Sequence, residues 1–177
     1  MNIGIDIDNT ITEIQEKLEK AKLDYAIKIG KKIHEEFTYE EQKYFIKNIQ
    51  EEIADQAKPR KQVVEVIHKL RKQGHKIIII TARCSEFHDN PYLQSKEWLE
   101  KNNIEYDKLI VNAIEKGTIC KEENIDIFID DQLNNCLDVA KEEIKVIRIG
   151  KNSSQSHEGI VDSESWEEIE KQIKEME

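Results

Sequence analysis

Apolar residues recur along this chain in two rhythms, which predict alternating strands and helices. Continuous apolar runs of strand length lie at 2–7, 76–81, 108–111, 125–130 and 144–149. Apolar residues repeat every three or four positions in the segments 62–73, 91–101, 117–123, 132–141 and from Trp166 onward, as helices require. Residues 151–159 are polar and predict a loop. Strands without polar alternation are buried on both faces, so we expect a parallel sheet covered by helices.

The segment 13–57 breaks this alternation because it contains no strand-like run. Apolar residues from Ile14 to Ile29 fall at helical spacing. Thr38 and Glu41 form the sequence pattern of a capping box, which predicts the start of another helix. We therefore expect an α/β protein with a three-layer, Rossmann-like parallel sheet. Its core would comprise residues 1–12 and 58–177, and residues 13–57 would form a small helical cap inserted after the first strand.

Composition and charge narrow the classes of protein that the chain can represent. Its 177 residues suit one domain with an insertion, and 38% hydrophobic residues suffice for a core. A net charge of −10 argues against a broad basic face, so no nucleic-acid polymer is expected as a partner. Three widely spaced cysteines predict neither a disulfide framework nor a thiolate zinc site. Neither a leader pattern nor an apolar run of membrane length is evident, so we expect a cytoplasmic protein without a membrane partner.

Polar residues of catalytic type follow four of the predicted strands. They are Asp6 and Asp8 after the first strand, Thr81 to Arg83 after the second, Asn112 to Lys116 after the third, and Asp130 and Asp131 at the end of the fourth. Taken alone, Asp6 and Asp8 fit an Asp-Asn turn and a cation-binding pair about equally well. The carboxyl ends of parallel strands meet at one edge, where ligands bind, so we expect these groups to converge.

The chemistry that this convergence favours is phosphoryl transfer. Carboxylates from two strands make a hard oxygen site of the kind that Mg²⁺ prefers. Lys116, Thr81 and backbone N–H groups after the first strand can supply the donors that a phosphate needs. One carboxylate could attack phosphorus, and an acid two residues further on could protonate the leaving alcohol and then activate water.

Four stretches resemble the motifs of the haloacid dehalogenase superfamily, which comprises Mg²⁺ phosphatases that form an aspartyl-phosphate. Asp6-Ile7-Asp8-Asn9-Thr10 resembles the first motif, Asp-x-Asp-x-Thr, and Ile78-Ile79-Ile80-Thr81 resembles the second. Lys116 matches the lysine of the third motif, and Ile127-Phe128-Ile129-Asp130-Asp131 matches the fourth. Thr81-Ala82-Arg83, Ile129-Asp130-Asp131 and a helical cap after the first motif are most similar to the 5′-nucleotidase group, which includes the 5′(3′)-deoxyribonucleotidases.

The resemblance implies a role for each matching residue. Asp6 would be the nucleophile and a metal ligand, and Asp8 the general acid and base, with its backbone carbonyl on Mg²⁺. Thr81 would hydrogen-bond the phosphoryl group and Lys116 would neutralise it. Asp130 would be a metal ligand, with Asp131 acting on the metal through water or another residue. The expected substrate contacts come from Asn9, Thr10, Ala82 and Arg83.

Several alternatives remain open at this level. Lys116 is preferred to Lys121 as the phosphate partner because it lies closer to the third strand end. Arg83 could steer the substrate or pair with Asp131 or Glu86, and His88 fits a solvated loop histidine better than a substrate contact. The aromatic residues of the cap would mostly form its core, with one or two free to stack on a nucleobase; they are Tyr25, Phe37, Tyr39, Tyr44 and Phe45.

The expected function is a Mg²⁺-dependent phosphomonoesterase acting on a small soluble phosphate ester, with a nucleoside monophosphate favoured. The same chemistry would also suit a sugar phosphate or a nucleic-acid end. A reading of another class is a non-catalytic regulatory module that binds phosphate or Mg²⁺. Asp8 argues against that module, because a phosphate binder does not need a general acid.

Overall fold

The computed structural model describes residues 1–32, 34–150 and 157–176, and six strands within them form one parallel sheet. The strands are β1 (Asn2–Ile5), β2 (Lys76–Ile80), β3 (Lys108–Ile110), β4 (Ile127–Asp130), β5 (Lys145–Ile149) and β6 (Ile160–Ser163). Their order across the sheet is β3-β2-β1-β4-β5-β6, and every neighbouring pair is parallel. This arrangement confirms the predicted α/β class.

Eight α-helices accompany the sheet in the described part of the chain. They are α1 (Gln15–Lys28), α2 (Tyr39–Phe45), α3 (Glu51–Asp55), α4 (Val63–Lys72), α5 (Pro91–Lys101), α6 (Lys116–Glu122), α7 (Leu133–Ala140) and α8 (Trp166–Met176). A π-helical turn, Ile46–Gln50, joins α2 to α3. Among the residues described, none of the helices is both long enough and apolar enough to cross a bilayer.

Both faces of the sheet are covered, which accounts for the uninterrupted isoleucines of β2. Ile77 and Ile79 pack into the apolar cluster that contains residues of α4, α5 and α8. Ile78 and Ile80 pack into a second cluster on the opposite face, with residues of α6 and α7. Successive strand residues point to opposite faces, so each of the four buried positions of this strand, 77–80, needs an apolar residue. The three layers predicted from the sequence are confirmed.

One strand was missed by the sequence pattern. β6 extends the sheet beyond β5 and pairs with it from Val146 opposite Ile160 to Ile149 opposite Ser163. It escaped prediction because Asp162 follows just two apolar residues and Val161 is exposed. The loop predicted for 151–159 lies mostly outside the described residues, which resume at His157.

The segment between β1 and α4 is helical, as its periodicity predicted. The capping box that opens α2 is present: Glu41 Oε2 accepts from the Thr38 N–H at 2.7 Å, and Thr38 Oγ accepts from the Glu41 N–H at 3.4 Å. The ring of Tyr25 in α1 packs against those of Phe37, Tyr44 and Phe45, at centroid distances of 5.2, 5.6 and 5.7 Å. We refer to residues 13–57 as the helical insertion; its status as a separate cap remains a prediction.

Two linker segments, residues 9–14 and 57–60, connect the helical insertion to the sheet. Thr12 and Pro59 form an antiparallel bridge between the linkers. Arg60 Nη2 donates to the carbonyl of Asn9 at 2.8 Å, and Arg60 Nε donates to that of Thr12 at 3.0 Å. The indole N–H of Trp166 donates to the carbonyl of Thr10, and that of Trp98 to the carbonyl of Ala57, each at 3.1 Å. Both linkers are therefore held against the sheet domain.

Candidate active site

The predicted site residues meet at the carboxyl edge of the sheet, beside its central strand β1. The chain crosses from β1 to β2 on one side and later places β4 on the other side. This reversal leaves a crevice beyond the ends of β1 and β4, the usual ligand position in open parallel sheets. Asp6 directly follows β1, and its N–H donates to the Ile129 carbonyl of β4 at 3.0 Å. Asp130 is the last residue of β4.

Lys116 bridges the two carboxylates at this crevice. Its Nζ lies 2.7 Å from Asp6 Oδ1 and 2.6 Å from Asp130 Oδ2. All three side chains are at most 8% exposed. Lys121, the alternative, is 71% exposed and pairs with Glu142 on the surface. The structure therefore places Lys116, and not Lys121, in the carboxylate cluster.

The depth of Lys116 is set by close packing of α6 against α7. Lys116 is the first residue of α6, and the N–H of Gly117 donates to Asp138 Oδ2 at 2.8 Å. A Cβ built on Gly117 would lie 2.7 Å from the backbone carbonyl oxygen of Asp138, so a larger residue does not fit. Asp138 and Gly117 were not singled out from the sequence. The sequence feature that could have pointed to this close packing was a glycine in the first turn of a short predicted helix.

Asp130 is held by the first turn of α7. Its Oδ1 accepts from the Gln132 N–H at 2.8 Å, and the amide of Asn135 lies 3.2 and 3.1 Å from its two oxygens. Sequence reasoning missed Asn135, whose one signal was its position in the helix that follows the two aspartates. Asp131 lies beside this group and accepts from Thr10 Oγ1 at 3.4 Å.

The site carries more buried negative charge than Lys116 balances. Burial raises the pKa of Asp6 to about 8, against the opposing charge of Lys116 and with support from Asp130 and Asp8. Burial, followed by the charge of Asp130, raises the pKa of Asp131 to about 6. Burial alone would lower the pKa of Lys116, but Asp6 and Asp130 outweigh it and hold that pKa above its usual value.

This charge excess and the donor atoms fit a hard divalent cation. Asp6, Asp130 and Asp131 each offer a carboxylate oxygen, and these oxygens lie within 4.8 Å of one another. Carboxylate oxygens with room for water and substrate are the donors that Mg²⁺ takes. A divalent ion would neutralise the carboxylate charge that the lysine leaves unbalanced.

Asp8 is held by Arg83, which corrects the expected partners of this arginine. Arg83 Nη2 donates to Asp8 Oδ1 at 2.7 Å and Arg83 Nε to Asp8 Oδ2 at 2.9 Å, so neither Asp131 nor Glu86 is its partner. The reason is strand order: Arg83 follows β2, which adjoins β1, whereas Asp131 follows β4 on the far side of β1. Burial would raise the pKa of Asp8, but Arg83 foremost, with His88 and Lys116, holds it below its usual range.

The loop after β1 has a left-handed backbone at Asn9. Its φ is +62°, in the left-handed region that asparagine tolerates better than most residues. Asn9 Oδ1 accepts from the Ile14 N–H at 3.1 Å, and Asn9 Nδ2 donates to Gln15 Oε1 at 2.9 Å. The side chain of Asn9 thus anchors the start of α1. Thr10, the next residue, is fully buried.

The end of β2 supplies the remaining predicted residues. Thr81 is 1% exposed, and its Oγ1 accepts from the N–H of Arg83 at 3.3 Å. Ala82 is exposed. His88, further along the same loop, is not the solvated residue that was expected: its side chain is 9% exposed and its Nδ1 lies 2.8 Å from Glu51 Oε1 of α3.

Comparison with known proteins supports this description of the fold. No protein-family model matches the chain. The sequence is 29% identical to nucleotidase CA_C3379 of Clostridium acetobutylicum over 96% of this chain and 91% of that protein. The structure resembles a haloacid dehalogenase-like hydrolase of Xanthomonas campestris, with a TM-score of 0.69, 12% identity, and 99% and 95% of the two chains covered.

A second solved structure has a similar fold. YfnB of Bacillus subtilis, a hydrolase of the same class determined with bound magnesium, matches with a TM-score of 0.62 and 13% identity. The match covers 95% of this chain and 96% of YfnB. These likenesses confirm the resemblance to the haloacid dehalogenase-like fold.

Proposed function

We propose that this protein, which has the haloacid dehalogenase-like fold, is a Mg²⁺-dependent phosphomonoesterase of small soluble phosphate esters. Nucleoside monophosphates are the favoured substrates, in keeping with its likeness to a nucleotidase. The observation that carries the proposal is the pair of buried carboxylates, Asp6 and Asp130, that share Lys116 while a second acid, Asp8, lies two residues after Asp6. A carboxylate nucleophile, a cation site and a separate proton carrier are the parts that phosphoryl transfer through an aspartate requires.

The metal would be held by the carboxylates of Asp6 and Asp130 and the backbone carbonyl of Asp8. Asp131 would act on it through water or a neighbouring residue. The raised pKa of Asp6, about 8, supports this assignment because burial, with the charges of Asp130 and Asp8, outweighs the opposing charge of Lys116. When bound, Mg²⁺ would neutralise phosphoryl oxygens and increase the electrophilicity of phosphorus.

In the first half-reaction, an oxygen of the Asp6 carboxylate attacks phosphorus and forms an acyl-phosphate bond. The ester bond between phosphorus and the leaving oxygen breaks, and a proton passes to that oxygen from Asp8 to release the alcohol. Because Arg83 keeps Asp8 ionised in the free protein, Asp8 must first take up that proton from solvent. In the second half-reaction, Asp8 removes a proton from water, which attacks the same phosphorus. The acyl-phosphate bond breaks, which releases inorganic phosphate and regenerates free Asp6.

The remaining residues would bind the phosphoryl group and the substrate around it. Lys116 would neutralise phosphoryl oxygens, and the 2.7 Å distance from its ammonium to the attacking carboxylate supports this role. Thr81 would donate its hydroxyl to the same group. Asn9, Thr10, Ala82 and Arg83 are the candidates for further substrate contacts. The backbone N–H groups of Asn9 and Thr10 already donate within the loop, to Thr12 Oγ1 at 3.0 Å and to the Ile7 carbonyl at 3.3 Å, so they are not the donors.

A screen of phosphate release tests the proposal. Purified protein with Mg²⁺ would be assayed on nucleoside monophosphates, hexose phosphates, a phosphorylated oligonucleotide end, phosphoamino acids and p-nitrophenyl phosphate. We expect turnover of small esters, loss of turnover with a chelator, and loss in Asp6→Asn. Asp24→Asn, on the exposed face of α1, is the matched control and should retain activity. Turnover that persists in Asp6→Asn, or in the chelated protein, would disprove the mechanism.

A further inference from the structure

Asn112 belongs to the polar stretch that follows β3 at the ligand edge of the sheet, and the mechanism above does not use it. It lies two residues past Ile110, the end of β3, and four residues before Lys116. Its φ is +58°, in the left-handed region. Asparagine tolerates that region better than most residues, and glycine adopts it freely. The backbone at this position therefore admits few residue types.

The left-handed backbone of Asn112 directs two successive N–H groups towards the chain that continues from β2. The last residues of β2 and β3 face each other, and the regular pairing ends there. Beyond that point the N–H of Ala113 donates to the Thr81 carbonyl at 3.0 Å, and the N–H of Asn112 donates to the Arg83 carbonyl at 2.8 Å. The main chain of Arg83 is thus bonded to the loop after β3.

The side chain of Asn112 holds the same loop at a second point. Its Oδ1 accepts from the N–H of Ser85 at 2.8 Å and from Ser85 Oγ at 3.2 Å. Asparagine side chains commonly bond to nearby backbone groups in this way and replace a regular ladder. Asn112 therefore fixes the chain on both sides of Cys84, through its own N–H at Arg83 and through its side chain at Ser85.

Arg83 needs a fixed main chain because its guanidinium makes a contact with two bonds. Nη2 and Nε lie 2.7 and 2.9 Å from the two oxygens of Asp8, and Nη1 lies 3.5 Å from Ser95 Oγ. Paired bonds of this kind depend on the angle between the two groups as well as on their distance. A displaced Arg83 main chain would turn the guanidinium away from one Asp8 oxygen, and proton transfer depends on the orientation of that carboxylate.

We propose that Asn112 is a positioning residue, which fixes the main chain of Arg83 and through it orients the Asp8 carboxylate for proton transfer. The inference rests on the proposed function for its catalytic consequence and deepens it, because it adds the end of a third strand to the groups that control the proton carrier. The structural link from Asn112 through Arg83 to Asp8 can be measured without that function.

Three variants separate the side chain of Asn112 from its backbone. Asn112→Gly adopts the left-handed φ without strain and removes the acceptor for Ser85. Asn112→Asp keeps an oxygen acceptor and tolerates the same backbone, so it is the rescue variant. Asn103→Gly is the matched control, because Asn103 also has a left-handed φ, of +56°, but lies between α5 and the start of β3, at the opposite edge of the sheet.

Ser85→Pro tests the same contact from its other side. Ser85 is the second residue of the turn in which the N–H of Phe87 donates to the Cys84 carbonyl at 3.2 Å, and this position accepts proline. The substitution removes both groups that donate to Asn112 Oδ1. It takes the place of Asn112→Gly if that variant does not fold.

The kinetic assay uses the nucleoside monophosphate or hexose phosphate that the wild type hydrolyses fastest. We expect Asn112→Gly and Ser85→Pro to lower kcat about five- to tenfold and to leave KM unchanged within about twofold, because the lost contact acts on the chemical step. Asn112→Asp should recover most of kcat, and Asn103→Gly should match the wild type. A loss confined to KM would overturn the inference.

The dependence on Arg83 is tested by combining substitutions. In an Arg83→Met background, Asn112→Gly should lower kcat by less than about twofold, because no guanidinium is left to position. A loss of the same size in both backgrounds would show that Asn112 acts independently of Arg83 and would overturn the inference.

A measurement without substrate separates failure of the inference from failure of the proposed function. The Nε–H of Arg83 is buried and donates to Asp8, so it should give a slowly exchanging nitrogen–proton NMR signal, identified by its loss in Arg83→Met. We expect this signal to broaden or vanish in Asn112→Gly and to return in Asn112→Asp. An unchanged signal in Asn112→Gly would overturn the inference. Wild-type protein that hydrolyses no ester would refute the proposed function, and the Arg83 signal would then decide the structural link by itself.

Discussion

Arg83 binds Asp8 through two hydrogen bonds, one of 2.7 Å from Nη2 to Oδ1 and one of 2.9 Å from Nε to Oδ2. The contact joins the loop after β2 to the loop after β1, and the Arg83 side chain is 6% exposed. A paired guanidinium stabilises the ionised carboxylate. The protonation state of the proposed proton carrier is therefore controlled by a residue on the neighbouring strand end.

Removal of Arg83 should alter the pH dependence of turnover. The guanidinium holds the pKa of Asp8 below its usual range, so Arg83→Met should raise that pKa. Asp8 must be protonated in the first half-reaction, and with a higher pKa it stays protonated to higher pH. The alkaline limb of the pH profile of kcat should therefore shift to higher pH. We expect kcat near neutral pH to fall at least about tenfold, because the carboxylate loses its orientation. Arg83→Lys, which keeps the charge but not the paired geometry, should be intermediate.

Substitution can show whether Lys116 or Lys121 is the phosphate partner. Lys116→Met would leave Asp6 and Asp130 buried without a cation, a change that typically costs about 3–5 kcal/mol in the free energy of unfolding. It should also abolish phosphate release. Lys121→Met alters an exposed pair with Glu142 and should leave activity and stability unchanged within error. Urea denaturation and phosphate release report both quantities, and equal effects of the two substitutions would contradict the assignment.

Metal binding should strengthen as pH rises towards 8. The pKa of Asp6 is raised to about 8, so below that pH the metal must displace a proton from this carboxylate. For one displaced proton, the apparent affinity rises about tenfold per pH unit until it levels near that pKa. Calorimetric titration with Mg²⁺ between pH 6 and 9 measures the slope, and Asp6→Asn should remove it.

The same raised pKa has a consequence for the metal-free protein. A carboxyl group that is more basic in the folded state contributes stability below its unfolded pKa and loses that contribution as pH rises through the folded value. The Tm without metal should therefore decrease from about pH 4 towards pH 8, and Mg²⁺ should raise it more at pH 8 than at pH 6. An equal rise at both pH values would contradict the charge excess assigned to the site.

Gly117 should not tolerate a methyl group. The added Cβ would lie 2.7 Å from the backbone oxygen of Asp138, which cannot rotate away as a side chain can. We expect Gly117→Ala to destabilise the fold by about 1–3 kcal/mol and to reduce phosphate release by displacing Lys116. Thr118→Ala, at the exposed next position, is the matched control. Full activity in Gly117→Ala would show that the position of Lys116 does not depend on this contact.

The convergence of Asp6, Lys116 and Asp130 was predictable because it depends on local signals. Each residue stands at or just beyond an apolar run, and the carboxyl ends of parallel strands share an edge whatever their order. The left-handed backbone at Asn9 was predictable for a similar reason, since the preference belongs to the residue itself.

The partners of Arg83 and His88 were not predictable, because they depend on which elements become neighbours. Arg83 meets Asp8 because β2 lies beside β1, and no local pattern reports strand order. His88 meets Glu51 because α3 packs near the loop after β2, which hydrophobic periodicity does not encode. β6 was missed because Val161 is exposed at the sheet edge, where alternation is weak.

The indole hydrogen bonds of Trp98 and Trp166 give the molecule a built-in optical reporter. The chain has two tryptophans, and each donates to one of the linkers that lead to the helical insertion. Both rings are at most 3% exposed, so their emission should be blue-shifted while the linkers stay in place. Fluorescence spectra recorded during ligand titration would thus register any rearrangement at either linker, without a dye or an added label.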